Sequence, residues 1–168
     1  TRPGAADTPD TPRGARARGT RGAAGEGPTS QPSEEKPPIT TDHQVTIDGQ
    51  PIKYKATAGT LPLRDDQNRT RAHIFFVAYE RSDVSDAEKS NRPVTFVFNG
   101  GPGAASIWLH MGTAGPKRVA IADDGSLPSP PYRLSDNSSS WLDITDLVFI
   151  DPVGTGYSRA EGDRAREF

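Results

Sequence analysis

The chain has 168 residues, a formal net charge of -2, 32 % hydrophobic residues, 16 prolines, 17 glycines and no cysteine. Twenty Lys and Arg residues against 22 Asp and Glu leave no excess of positive charge for a nucleic acid or an anionic membrane. There is no apolar run long enough for a transmembrane helix, no secretory leader is visible, and the missing cysteine excludes disulfides, thiolate metal sites and a cysteine nucleophile within these residues.

Residues 1–38 contain no Val, Ile, Leu, Met, Phe, Tyr or Trp. Such a segment cannot bury enough apolar area to offset the entropy of ordering its backbone, so it is expected to be a disordered low-complexity tail. Its arginines Arg13, Arg16, Arg18 and Arg21 read as solvated charge on that tail. Order is expected from Ile39 onwards. Val45 and Ile47 alternate with polar neighbours, Asp48-Gly49 follows, and Ile52, Tyr54 and Ala56 alternate with Lys53 and Lys55. Alternation on both sides of an Asp-Gly pair predicts a β-hairpin with one wet face.

A more continuously apolar strand is predicted over 73–79, then a polar connection over 81–91, then a short strand over 94–98. Residues 147–150, apolar at every position, predict a strand covered on both faces. The intervening Asn99 to Asp146 is rich in Gly, Pro, Ser and Asp and reads as loop, apart from a short helix within 106–112. Residues 159–168 read as the beginning of a helix. The predicted fold class is therefore α/β, with one mixed sheet. The 94–98 and 147–150 strands should be parallel and each should deliver a Gly-rich loop to the same sheet edge, where ligands of open α/β sheets sit.

The first loop is Asn99-Gly100-Gly101-Pro102-Gly103. The glycines permit backbone angles that a Cβ forbids, and Pro102 restricts its own φ and biases Gly101 away from the helical region. The loop reads either as a tight turn without a ligand or as a rigid array of outward N–H groups suited to a developing oxyanion. No Gly-Lys-Ser or Gly-Lys-Thr follows it, which argues against a phosphate loop. In the second loop, Asp151 to Ser158, Asp151 reads as an acceptor for backbone N–H groups. That loop either braces the first or touches substrate, and Tyr157 either lines a pocket or packs on the core.

Four motifs in order resemble the serine carboxypeptidase family of α/β-hydrolases. They are Asn99 to Gly103, Gly115-Pro116, the Asn-x-x-Ser-Trp pattern of Asn137 to Trp141, and Leu147 to Ser158. The resemblance implies that residues 39–168 are the N-terminal part of such a domain, ending before the nucleophile elbow. It also implies a serine-type carboxypeptidase that removes C-terminal residues through an acyl-enzyme in its full-length form. By that likeness Gly101 supplies an oxyanion-hole N–H, Asn99 and Gly100 bind the substrate's terminal carboxylate, and Tyr157 belongs to the substrate site. A peptide substrate, a secreted, periplasmic or other extracytoplasmic location and no cofactor are expected. The chain departs from the family's pattern at Ala104, where many members have Cys. It departs again at Thr113, where many have Glu, and at Asp151-Pro152, which lacks an intervening Gln.

No Gly-x-Ser-x-Gly elbow occurs in these residues, and Ser158 lacks the glycine that should follow. His43, His73 and His110 precede the place of a triad histidine in the Ser, acid, His order. His73 is expected on a strand and His110 in packing. No His, Asp and Glu group has metal-ligand spacing. These 168 residues alone are therefore expected to be inactive. Two other readings remain open: an α/β-hydrolase of the proline iminopeptidase type, and a truncated, non-catalytic binding protein.

Overall fold

The structure, a computed structural model, describes residues 36–100, 103–122 and 124–162. Most of the expected tail, together with Gly101 and Pro102, lies outside the described residues.

Strands β1 (Ile39–Ile47) and β2 (Gln50–Arg64) pair antiparallel across Asp48-Gly49, whose φ angles are +47° and +78°. That is the backbone an Asp-Gly hairpin turn requires. The hairpin's apolar positions Val45, Ile47, Ile52 and Tyr54 are buried, so the predicted alternation selects the inner face. Both strands run beyond the alternating stretch, with Ile39 paired to Ala58. Strand β3 (Thr70–Arg81) follows, antiparallel to β2.

The connection over 81–91 is not all coil. Helix α1 (Asp86–Asn91) begins at Ser85, whose hydroxyl accepts from the Glu88 N–H while the Glu88 carboxylate accepts from the Ser85 N–H. This reciprocal capping box satisfies donors that a helix start leaves open. The chain then enters β4 (Val94–Val97).

The long stretch after β4 also carries more structure than expected. One helical turn, α2 (Ile107–Leu109), continues as a π-helical turn over His110–Ala114. Short strands β5 (Lys117–Val119) and β6 (Leu134–Asp136) form a two-stranded antiparallel sheet, joined by an ion pair between Lys117 and Asp136. A 3-10 turn, Trp141–Asp143, then leads into β7 (Asp146–Ile150).

The main sheet has the order β1-β2-β3-β7-β4. It is mixed: β7 is antiparallel to β3 and parallel to β4. Arg92 locks the start of that parallel pair, with Nε 3.0 Å from Asp146 Oδ1 and Nη2 donating to the Leu142 carbonyl at 2.9 Å. Along β7, Leu147 and Phe149 are buried while Val148 and Ile150 are only half-buried. Among the described residues the strand is fully covered on one face only, the one that carries Leu147 and Phe149 and packs against His110 and Leu142. Residues Val45, Ile47, Ile52, Tyr54, Tyr79, Val97, Leu142, Leu147 and Phe149 form that core. Burying each large aliphatic side chain there contributes about 1.5–3 kcal/mol.

The predicted helix after the second loop is corrected at its start. Arg159–Ala160 is a strand, β8, paired with Ala72 and His73 of β3. Beyond the β7 pairing, β3 still presents free backbone groups, and β8 satisfies them. The rest of that segment, 163–168, lies outside the described residues.

Candidate active site

Strands β4 and β7 are parallel with Val97 opposite Phe149. Asn99 and Asp151 therefore each lie two residues beyond a matched pair, and both Gly-rich loops leave the same sheet edge, as expected. Of the first loop's predicted site residues, Gly101 lies outside the described residues. Gly100 is exposed, and a Cβ built on it meets no atom within 4 Å. Asn99 is half-buried, and its Oδ1 is buried without a hydrogen-bond partner among the described residues.

Asp151 ties the second loop to Ser106, three residues past the first. Its Oδ1 accepts from the Ser106 N–H and from the Ser106 hydroxyl, both at 2.9 Å, and its Oδ2 accepts from the Tyr157 N–H at 3.3 Å. The side chain is buried, so these donors replace the water a carboxylate would otherwise hold. Gly156 is forced by the same packing, since a Cβ there would stand 1.8 Å from Asp151 Oδ2.

Ser158 is fully buried. Its hydroxyl donates to the Asp151 carbonyl and accepts from the Phe75 N–H, each at 2.7 Å. It stitches the second loop to β3 and is shut off from solvent. Tyr157 is the opposite case: it is 74 % exposed, and its ring packs 5.1 Å from that of Phe75. Of the two placements open for it, lining a pocket is the one found. The pocket is a cleft of about 630 Å³ whose walls include Phe75, Ile107 and Tyr157 on its apolar side and Ser106, His110 and Asp151 on its polar side. Asn99 and Gly100 are not among its walls.

His110 is buried, as the packing expectation had it. Its ring stacks on Phe149 at 4.3 Å, and its Nε2 lies 2.6 Å from the Tyr79 hydroxyl. Burial pushes its pKa down to about 4, against an opposing pull from the Asp151 charge. Burial also raises the Tyr79 hydroxyl. Both groups are thus neutral near pH 7, and which of them donates follows the imidazole tautomer. His73 lies on β3 as expected, 3.4 Å from Glu161.

The remaining two motifs turn out to be one unit. The Gly115 N–H donates to the His110 carbonyl at 3.1 Å, closing the π turn. Asn137 Nδ2 donates to the carbonyls of Thr113 (2.6 Å) and Gly115 (2.8 Å), and the Ser140 hydroxyl donates to that of Ala114 (2.8 Å). Helix ends leave such carbonyls open, and here two side chains from the Asn-x-x-Ser-Trp segment take them. The sequence shows both motifs, but nothing in their spacing says that they touch. Ser106 was likewise missed as the partner of Asp151, since the two lie far apart in the chain.

A family model described as serine carboxypeptidase matches residues 47–167. The pheromone-processing carboxypeptidase KEX1 of Saccharomyces cerevisiae is 36 % identical over 106 residues, covering 60 % of this chain and 13 % of that protein. Serine carboxypeptidase-like 33 of Arabidopsis thaliana is 32 % identical over 120 residues, covering 70 % of this chain and 23 % of that protein. The crystal structure of a prohormone-processing carboxypeptidase from Saccharomyces cerevisiae aligns with a TM-score of 0.47 at 34 % identity, covering 61 % of this chain and 20 % of that one. The chain thus spans less than a quarter of the length of these relatives.

Proposed function

The chain belongs to the serine carboxypeptidase family, and from that premise we propose that it is the oxyanion-turn and carboxylate-binding region of a serine-type carboxypeptidase. The observation that carries the proposal is the common edge of β4 and β7, where Asn99-Gly100 and the Asp151 loop emerge side by side. A peptide C-terminus is the substrate this edge suits. A neutral amide and peptide N–H groups hold a carboxylate without a buried cation. They hold a free carboxylate more strongly than an amide carbonyl, which favours the last residue of a peptide. In this reading the Gly101 N–H faces the tetrahedral oxyanion, Asn99 and Gly100 bind the terminal carboxylate, and Tyr157 lines the substrate cleft. The nucleophile, acid and base come from outside these 168 residues, and the enzyme works outside the cytoplasm.

Two measurements test this. The full-length protein should release single residues from the C-terminus of free-acid peptides and leave the C-terminal amides of the same peptides largely intact. Release from the N-terminus instead would replace the proposal with an iminopeptidase. The 168 residues by themselves should not react with a fluorophosphonate probe, and labelling at the buried Ser158 would overturn the assignment of the nucleophile.

A further inference from the structure

We propose that Asp151 is a positioning residue that sets the first Gly-rich loop against the second. This rests on the carboxypeptidase reading for its catalytic consequence, but its geometry stands alone. The carboxylate has donors on both sides. Ser106, three residues past Gly103, occupies Oδ1 with its N–H and its hydroxyl. Tyr157, on the loop that follows β7, occupies Oδ2. Asp151 is itself fixed at its backbone, where its N–H donates to the Phe75 carbonyl at 3.1 Å and its carbonyl accepts from Ser158. A strand end therefore holds Ser106, just past the first Gly-rich loop, at one oxygen and the cleft wall at the other.

The chemistry demands an aspartate. An asparagine is nearly the same size but has one acceptor. If its oxygen keeps the Ser106 pair, its NH₂ group faces the Tyr157 N–H, donor against donor. If it flips, its NH₂ group meets the Ser106 N–H donor against donor, and only the hydroxyl bond survives, reversed. Either way one backbone N–H loses its acceptor. A longer acid does not fit, because a Cβ on Gly156 would already stand 1.8 Å from Oδ2 and there is no slack on that side. A misplaced oxyanion donor weakens the transition state more than the bound substrate, so the loss belongs in kcat.

The experiment compares Asp151→Asn, Ser106→Ala and wild type in the full-length protein, well below each variant's Tm. The rate of C-terminal residue release is expressed per active site titrated with a fluorophosphonate, so that unfolded molecules do not count. Asp151→Asn should lower kcat by roughly 10- to 100-fold with KM changed less than about threefold, and Ser106→Ala, which keeps the N–H bond, should fall between it and wild type. Amide exchange supplies a second readout that needs no activity: Asp151→Asn should speed exchange at Ser106 or at Tyr157. A kcat within twofold of wild type, or a loss confined to KM, overturns the positioning role. If Asp151→Asn does not fold, Ser106→Ala decides by the same criterion. If wild type releases no C-terminal residue, the carboxypeptidase reading fails by itself. Asp151 is then judged by exchange alone, and unchanged protection at both amides overturns the brace.

Discussion

The Tyr79 hydroxyl lies 2.6 Å from His110 Nε2, inside the core and directly beneath the segment that follows the first Gly-rich loop. The burial of this imidazole makes the fold pH-sensitive in a defined direction. The folded pKa of His110, about 4, is below its ordinary 6.5. The unfolded chain therefore binds this proton first, and stability falls as pH falls. The His110 contribution should be whole above pH about 6.5, decline between there and pH about 4, and change no further below. Its full size is up to roughly 3 kcal/mol. The measurement is unfolding free energy against pH for wild type and His110→Leu. The difference between the two should shrink on acidification across that window, and parallel curves would show that His110 does not titrate with folding.

Gly115 is required by contact rather than by φ. A Cβ there would lie 2.2 Å from the His110 carbonyl oxygen, and backbone cannot swing away as a side-chain tip can. Gly115→Ala should therefore open the π turn and cost about 1–3 kcal/mol or more. Gly112, in the same turn, has open space where a Cβ would stand. Gly112→Ala should be neutral or stabilise by about 0.5 kcal/mol. Urea unfolding of the pair separates a local clash from a general intolerance of the turn to alanine.

Asn137→Ala removes the donors to two carbonyls, one of them buried, and should cost about 2 kcal/mol. Asn137→Asp should be worse, because a carboxylate would then face the Thr113 and Gly115 carbonyls. Ser138 is exposed, and Ser138→Ala should stay within about 0.5 kcal/mol of wild type. Thermal unfolding of the three variants checks the order.

The sheet was largely legible in the sequence, because burial leaves a period-two trace. Val45, Ile47, Ile52 and Tyr54 carry it, and β4 and β7 are compact apolar runs. The outer lengths of β1 and β2 were not legible, since pairs such as Thr40 with Thr57 are held by the backbone ladder and leave no hydrophobic pattern. Strands β5 and β6 are three residues each, too short for alternation to show. Helix α1 was legible and overlooked: Ser85-x-x-Glu88 is a capping box in plain sequence. Strand β8 replaced an expected helix because β3 offered it partners at Ala72 and His73, which is tertiary information. At the site, Asp151 was recognisable as an acceptor. Its donor Ser106 was not, because only the fold brings residues so distant in sequence together.

Asn99 gives the sharpest test of the carboxypeptidase proposal, because stability and function should move in different directions. Its Oδ1 is buried and has no hydrogen-bond partner among the described residues. An unpaired buried acceptor costs about 1–3 kcal/mol, so Asn99→Ala should leave the fold no less stable, or somewhat more so. The Oδ1 is an acceptor and cannot itself hold a carboxylate, so any use by a substrate's C-terminus falls to the Nδ2 amide of the same side chain. If that use is holding the substrate's terminal carboxylate, the same substitution should weaken free-acid peptides while largely sparing the matching amides or esters. Binding lost equally in the ground and transition states raises KM, so the effect should appear there before kcat. Losing a hydrogen bond to a charged group is worth about 1.5–3 kcal/mol, or roughly 10- to 150-fold. The measurement is kcat/KM for a free-acid peptide over that for its amide, in wild type and Asn99→Ala, alongside the Tm of each. A ratio that collapses towards one with Tm unchanged or raised supports the assignment. A ratio that stays the same removes Asn99 from the carboxylate site, and a fall in Tm with the ratio unchanged makes it a structural residue of the turn.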